Sequence, residues 1–170
     1  MNRAVATAIA KTARSESTPS ADFREKAEQK GIGKGLHVLI VEDHEASRRC
    51  LEDLLQKYGY RVRSVACAEA VLGELEADRF DALLTDLHLP GMDGFELIAR
   101  AKVAQPSIRM LMMTAVASNR VREQSRAVGV DAVMEKPIEL DQLLAFLESI
   151  QLHNGGKQLN MPFLLGQHYH

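Results

Sequence analysis

Ala82-Leu83-Leu84-Thr85-Asp86-Leu87-His88-Leu89-Pro90-Gly91-Met92-Asp93-Gly94 is the stretch on which the fold turns. An apolar strand runs into a single acid, Asp86, and the chain then breaks through Pro90, Gly91 and Gly94 before a helix opens at Phe95. A carboxylate at the C-terminal end of a buried parallel strand lies where open α/β sheets bind their ligands. Pro and Gly after it force a loop beside that acid.

Reading outward, the same pattern repeats. Residues 37–41 form a continuous apolar run that ends in Glu42-Asp43, the signature of a strand buried on both faces. Ala46, Cys50, Leu54 and Tyr58 follow at helical spacing, widened by Leu51 and Leu55 and stopped by Gly59. Strands are expected over 60–65, 80–86, 108–114 and 130–135, and helices over 68–77, 95–104, 119–128 and 139–150. Five strands alternating with five helices imply a single α/β domain, a doubly wound parallel sheet, and the order expected for it is 2-1-3-4-5. That order places the switch point between strands one and three, where Glu42, Asp43 and Asp86 converge.

Composition narrows the function. Of 170 residues, 46% are hydrophobic and 26% charged, with a net charge of −2, as in a soluble globular core. Residues 1–35 carry seven Lys/Arg against four Asp/Glu, whereas 36–170 carry 14 against 19, so the body is mildly acidic. Such a body suits a cation better than a nucleic acid. No apolar run approaches the ~18 residues of a membrane span. Cys50 and Cys67 read as reduced thiols of a cytoplasmic protein rather than a disulfide. Residues 1–35 read as a flexible extension or linker, with Gly31, Gly33 and Gly35 as its joint, and 151–170 as a tail containing Met161-Pro162-Phe163-Leu164-Leu165. Met1–Arg14 shares the acid-poor composition of a transit peptide, but a mobile terminus is the preferred reading.

The chemistry gathers at one sheet edge. Glu42 and Asp43 end strand one, Asp86 strand three, Thr114 strand four and Lys136 strand five. Three carboxylates together repel one another unless a cation joins them. With oxygen donors only, that cation is Mg²⁺. Asp86 is the candidate nucleophile, able to form an acyl phosphate, and Lys136 and the Thr114 hydroxyl would hold the remaining phosphoryl oxygens. A bland reading of Glu42-Asp43 is an N-cap for the next helix. Arg120, Arg122 and Arg126 read as a solvated face or a docking patch, and Met110, Met112 and Met113 as core.

In order and spacing, Val38-Leu39-Ile40-Val41-Glu42-Asp43, Asp86 with Leu89-Pro90-Gly91-Met92-Asp93-Gly94, Met113-Thr114-Ala115 and Gly129 through Lys136-Pro137 resemble the receiver domain of bacterial two-component response regulators. The resemblance covers 36–150 and implies a flavodoxin-like (βα)₅ fold. It implies phosphorylation of Asp86 by a histidine kinase or histidine phosphotransfer protein, with no catalysis beyond the domain's own phosphoryl transfer and autodephosphorylation. It also implies Mg²⁺ on Asp43, Asp86 and the backbone carbonyl of His88, with Glu42 nearby. A cis Lys136-Pro137 bond and a phosphate kept accessible by Ala115 follow from it, as does output through a downstream protein target. Its dimerising face corresponds to 119–150, which leaves a homodimer open. One position departs from the family: Val133 stands where an aromatic residue commonly swings inward. Output is therefore expected through the loop after Thr114, the helix 119–128 or the backbone near Met134. His88 reads either as a tuner of acyl-phosphate lifetime or as an exposed loop residue. The alternatives are a receiver module cut from a hybrid histidine kinase, a pseudo-receiver, and an Asp-nucleophile, Mg²⁺-dependent phosphatase. A phosphatase of the haloacid-dehalogenase type would have a second Asp where His88 stands.

Overall fold

The computed structural model describes residues 35–154; of the extension read over 1–35 and the tail read over 151–170, residues 1–34 and 155–170 lie outside the described residues. Five parallel strands, β1 (His37–Val41), β2 (Arg61–Val65), β3 (Ala82–Asp86), β4 (Arg109–Thr114) and β5 (Ala132–Glu135), pair in the order β2-β1-β3-β4-β5. Between them run α1 (Glu45–Lys57), α2 (Ala68–Ala77), α3 (Gly94–Ala104) and α4 (Asn119–Ala127), and α5 (Leu140–Asn154) closes the fold. The architecture is the expected doubly wound sheet.

Two apolar layers sandwich the sheet because alternate strand side chains point to opposite faces. Leu39, Val41, Leu83, Met110, Met112 and Val133 face the side covered by Val71 and Leu75 of α2 and Leu97 and Ile98 of α3. Val38, Ile40, Leu84, Leu111 and Met113 face Leu51 and Leu55 of α1 and Leu143, Leu144 and Leu147 of α5. The methionines at 110, 112 and 113 are fully buried core, as read from their run in β4.

Four strands start one or two residues later than their runs suggest, for local reasons: the Tyr60 N–H, for one, closes the end of α1 on the Leu55 carbonyl at 3.2 Å, so β2 opens at Arg61. The Phe80 N–H is taken by the side chain of Gln105 at 3.0 Å, so β3 opens at Ala82. The Ile108 N–H closes a turn onto the Gln105 carbonyl at 3.1 Å, and the Val130 N–H still caps α4 on the Ser125 carbonyl at 2.9 Å. At the other end of the fold, α5 continues past Ile150, so residues 151–154 are helical.

Buried side chains complete the backbone bonding. Gln105 Nε2 donates to the carbonyls of Leu75 at 2.8 Å and Asp78 at 2.6 Å, tying the end of α2 to the start of β3. The Asp81 carboxylate accepts the His37 N–H at 2.8 Å, and that of Asp131 accepts the Met110 N–H at 2.7 Å. Asp81 thus satisfies the first donor of β1 and Asp131 the second of β4, groups that would otherwise be left unpaired.

Candidate functional site

Sheet order brings the site together. Val41 pairs with Thr85, so Glu42 and Asp86 emerge side by side at the C-terminal edge. Asp86 pairs with Met113, and Thr114 with Glu135, which puts Lys136 at the same edge. The Lys136 N–H donates to the Thr114 carbonyl at 2.7 Å, and the Lys136-Pro137 bond is cis as expected.

The loop after Asp86 is closed by two residues with little freedom. Gly91 sits at φ +87°, a conformation that side chains rarely adopt. Gly94 begins α3 against the preceding chain; a Cβ there would lie 2.8 Å from the Asp86 carbonyl and 2.9 Å from that of Leu87. Asp93 caps this helix, its carboxylate accepting the Phe95 N–H at 2.7 Å. On the other side of the site, α1 is capped by His44, whose Nδ1 accepts the Ser47 N–H at 3.3 Å. Capping therefore does not account for Glu42 or Asp43.

Lys136 is the hub. Its ammonium donates to Glu42 Oε2 at 2.8 Å and to Asp86 Oδ2 at 2.5 Å. The Lys136 side chain is 8% exposed, against 2% for Glu42 and 14% for Asp86. Burial alone would lower the Lys136 pKa, but the bonds from Asp86 and then Glu42 outweigh it, so the group stays protonated above the usual lysine range. The remaining Glu42 oxygen accepts the His44 N–H at 3.3 Å, and Asp86 Oδ1 accepts the His88 N–H at 3.0 Å.

Carboxylate oxygens of Glu42, Asp43 and Asp86 all lie within 4.8 Å of one another. Asp43 is exposed, so the cluster opens to solvent on its side. This donor set fits Mg²⁺: hard oxygens only, more negative charge than the one ammonium offsets, and an open face for waters.

Thr114 is buried at the edge, but its hydroxyl turns into the following loop. It donates to the Val116 carbonyl and accepts the Val116 N–H, each at 3.3 Å. Ala115 is exposed and His88 is an exposed loop residue that reaches Asp86 through its backbone. Val133 is packed in the core. Two contacts not read from the sequence pin the loop beyond Thr114. Glu135 Oε2 accepts the Ala117 N–H at 3.3 Å, and Arg122 Nε donates to the Ala117 carbonyl at 3.1 Å. Both bonds depend on α4 and β5 lying beside one loop, so no local sequence signal announces them. Cys50 and Cys67 are free thiols.

The profile of the response regulator receiver domain matches residues 38–148. The sensory/regulatory protein RpfC of Xanthomonas campestris is 32% identical over 133 residues, covering 76% of this chain and 18% of RpfC. Sporulation initiation phosphotransferase F of Bacillus subtilis is 32% identical over 106 residues, covering 62% of this chain and 86% of that protein. Among solved structures, a CheY-like receiver domain from Methanospirillum hungatei superposes with a TM-score of 0.64 at 30% identity, covering 69% of this chain and 98% of that one. The chain thus spans under a fifth of RpfC but nearly the whole of that solved receiver chain. Receiver domains are signalling modules, generally non-enzymatic, and the matches do not favour the phosphatase alternative. Five parallel strands in the order 2-1-3-4-5, an acidic cluster at their switch point and the match over 38–148 make this chain a member of the response regulator receiver family, a module of phosphorylation-based signalling.

Proposed function

We propose that residues 36–150 form a receiver that takes a phosphoryl group onto Asp86 from a histidine kinase or a histidine phosphotransfer protein and passes the signal on by protein–protein contact in the cytoplasm. The observation that carries this reading is the Lys136 ammonium held at once by Asp86 and Glu42, with Asp43 beside them. A carboxylate oxygen of Asp86 attacks phosphorus; a P–O bond forms, the P–N bond to the donor imidazole breaks, and that nitrogen leaves with the electron pair. Lys136 is placed to follow the developing charge from Asp86 onto a phosphoryl oxygen. The Thr114 hydroxyl holds another oxygen once it gives up Val116. Asp43, Asp86 and the His88 carbonyl would hold Mg²⁺, with Glu42 close by. Bound there, the cation supplies neutralisation of the transferring group. Among the described residues no helix is long and apolar enough to cross a membrane.

Intact-mass measurement after incubation with a small phosphodonor, with and without Mg²⁺, tests this. The expected result is one added phosphoryl group that requires Mg²⁺ and is lost in Asp86→Asn. An adduct that persists in Asp86→Asn, or no adduct under any condition, refutes it.

A further inference from the structure

We propose that Arg48 is a positioning residue for the acidic site, clamping the end of β1 so that Asp43 and Glu42 are held for a divalent cation. The proposal rests on the reading of the site as a Mg²⁺-dependent phosphoacceptor.

Its basis is a bonding problem at the end of β1. The last ladder bond on that side is the Glu42 N–H to the Val65 carbonyl at 3.3 Å. The carbonyls of Glu42 and Asp43 then leave the sheet, and among the described residues no backbone N–H outside the regular elements reaches either of them. Arg48 supplies the donor. Its Nη1 donates to the Glu42 carbonyl at 2.8 Å and to the Asp43 carbonyl at 3.4 Å. One half-buried guanidinium thus bridges the two peptide units that carry the two acids.

The placement is otherwise unfavourable. Arg48 lies one turn into α1, where the helix dipole disfavours a cation. Among the described residues its side chain bonds to these carbonyls and to no carboxylate. Asp43, for its part, is exposed, and among the described residues its carboxylate makes no hydrogen bond or ion pair, so what holds it in place is its backbone. A clamp on this backbone therefore fixes the most loosely held ligand of the cluster. Groups that orient ligands from behind affect metal affinity as the ligands do, typically about 10–100-fold.

Position and charge act in opposite directions here, and that makes the idea testable. The guanidinium charge repels an incoming cation, so removing charge alone would tighten Mg²⁺ binding. Loss of the clamp would weaken it. Arg48→Met removes both, Arg48→Lys keeps the charge and one donor, and Arg48→Gln serves where Arg48→Met does not fold. For each protein two curves are measured against Mg²⁺ concentration: the rise in melting temperature without phosphodonor, and the initial rate of phosphorylation by a small phosphodonor. The expected result is a half-saturating Mg²⁺ concentration raised about tenfold in Arg48→Met on both curves. The limiting phosphorylation rate stays within about twofold of wild type, and Arg48→Lys recovers most of the affinity. An unchanged or lower half-saturating concentration in Arg48→Met overturns the clamp while leaving the phosphoacceptor reading intact. If instead the wild type shows neither a Mg²⁺-dependent melting shift nor an adduct, the phosphoacceptor reading itself fails, and the clamp with it.

Discussion

Gly94→Ala inverts the usual effect of that substitution on a helix. Replacing Gly by Ala inside a helix ordinarily stabilises it, by up to about 1 kcal/mol. Gly94 opens α3, but a Cβ built there meets the Asp86 carbonyl at 2.8 Å, the Leu87 carbonyl at 2.9 Å and the Leu87 Cα at 3.0 Å. All three are backbone atoms, so no flexible side chain can turn aside. The strand end and the loop must move instead. Overpacking of this kind costs about 1–3 kcal/mol, and the rigid neighbours argue for the upper end. Set against the helix gain, a net loss of about 2 kcal/mol remains, or roughly 6–12 °C in melting temperature for a domain of this size. Gly73 is the control: it lies inside α2 with nothing within 4 Å of a built Cβ, so Gly73→Ala should stabilise by about 0.5–1 kcal/mol. Urea unfolding of the two variants and wild type gives all three values. The displaced Asp86 carbonyl also predicts slower phosphorylation in Gly94→Ala at saturating Mg²⁺. A Gly94→Ala protein as stable as wild type would refute the steric argument.

Lys136→Met should cost about 3 kcal/mol in cation-free buffer, because it leaves the buried Glu42 carboxylate without its counter-charge. The Lys136 pKa is raised by Asp86 and Glu42 against its burial, so its contribution is complete below the ordinary lysine value of about 10.4 and fades as pH climbs through the folded value. The gap in urea midpoint between wild type and Lys136→Met is therefore flat from neutral pH to that value and narrows above it; a gap that narrows on acidification to pH 7 contradicts the assignment. Tyr60→Phe should stabilise by about 1 kcal/mol, since the buried Tyr60 hydroxyl has no hydrogen-bond partner among the described residues. Burial and then the charge of Glu148 push the Tyr60 pKa above the usual range, so the wild type loses stability as pH rises past about 10 and the advantage of Tyr60→Phe grows there; denaturant curves on either side of that pH check both points. Glu135→Ala releases the Ala117 N–H, a bond worth about 0.5–1 kcal/mol, and amide exchange at Ala117 should quicken roughly two- to fivefold. Unchanged exchange would show that the loop is held elsewhere.

The sheet and the acidic cluster were legible because their signals are local. Continuous apolar runs marked the buried strands, each ended in its polar residue, and alternation with helices gave the parallel sheet whose C-terminal edge carries Glu42, Asp43, Asp86 and Lys136. The side-chain bonds that hold these parts were not legible in the same way. Gln105 joins α2 to β3 across 25 to 30 residues of sequence, and the Thr114 hydroxyl chooses Val116 over the acidic edge. Such bonds depend on which backbone groups the fold leaves unpaired, and no periodicity encodes that. Two did leave a trace. Asp81-Ala82 and Asp131-Ala132 repeat the same pair before two strands, and each carboxylate accepts an N–H near the start of the neighbouring strand. Arg48, a cation one turn into a helix where a carboxylate is preferred, was a further signal.

Val133 bears on how the signal leaves the site. It packs beneath β5 opposite Met112, and its branched side chain has little rotamer freedom. No large side chain there can exchange a buried for an exposed position. Thr114, in contrast, has both its hydroxyl bonds on Val116, which is 63% exposed. On the proposed reading, a phosphoryl group on Asp86 draws that hydroxyl away and strips Val116 of both bonds at once. The neighbouring Ala117 peptide stays tied to Glu135 on β5 and to Arg122 on α4. Glu135 is also next to Lys136, which on the same reading would follow that phosphoryl group. Thr114 and the neighbour of Lys136 thus both bond to one four-residue loop, and α4 is its far anchor. A downstream partner would read the loop 115–118 and the Arg122 face of α4, with no ring needing to move.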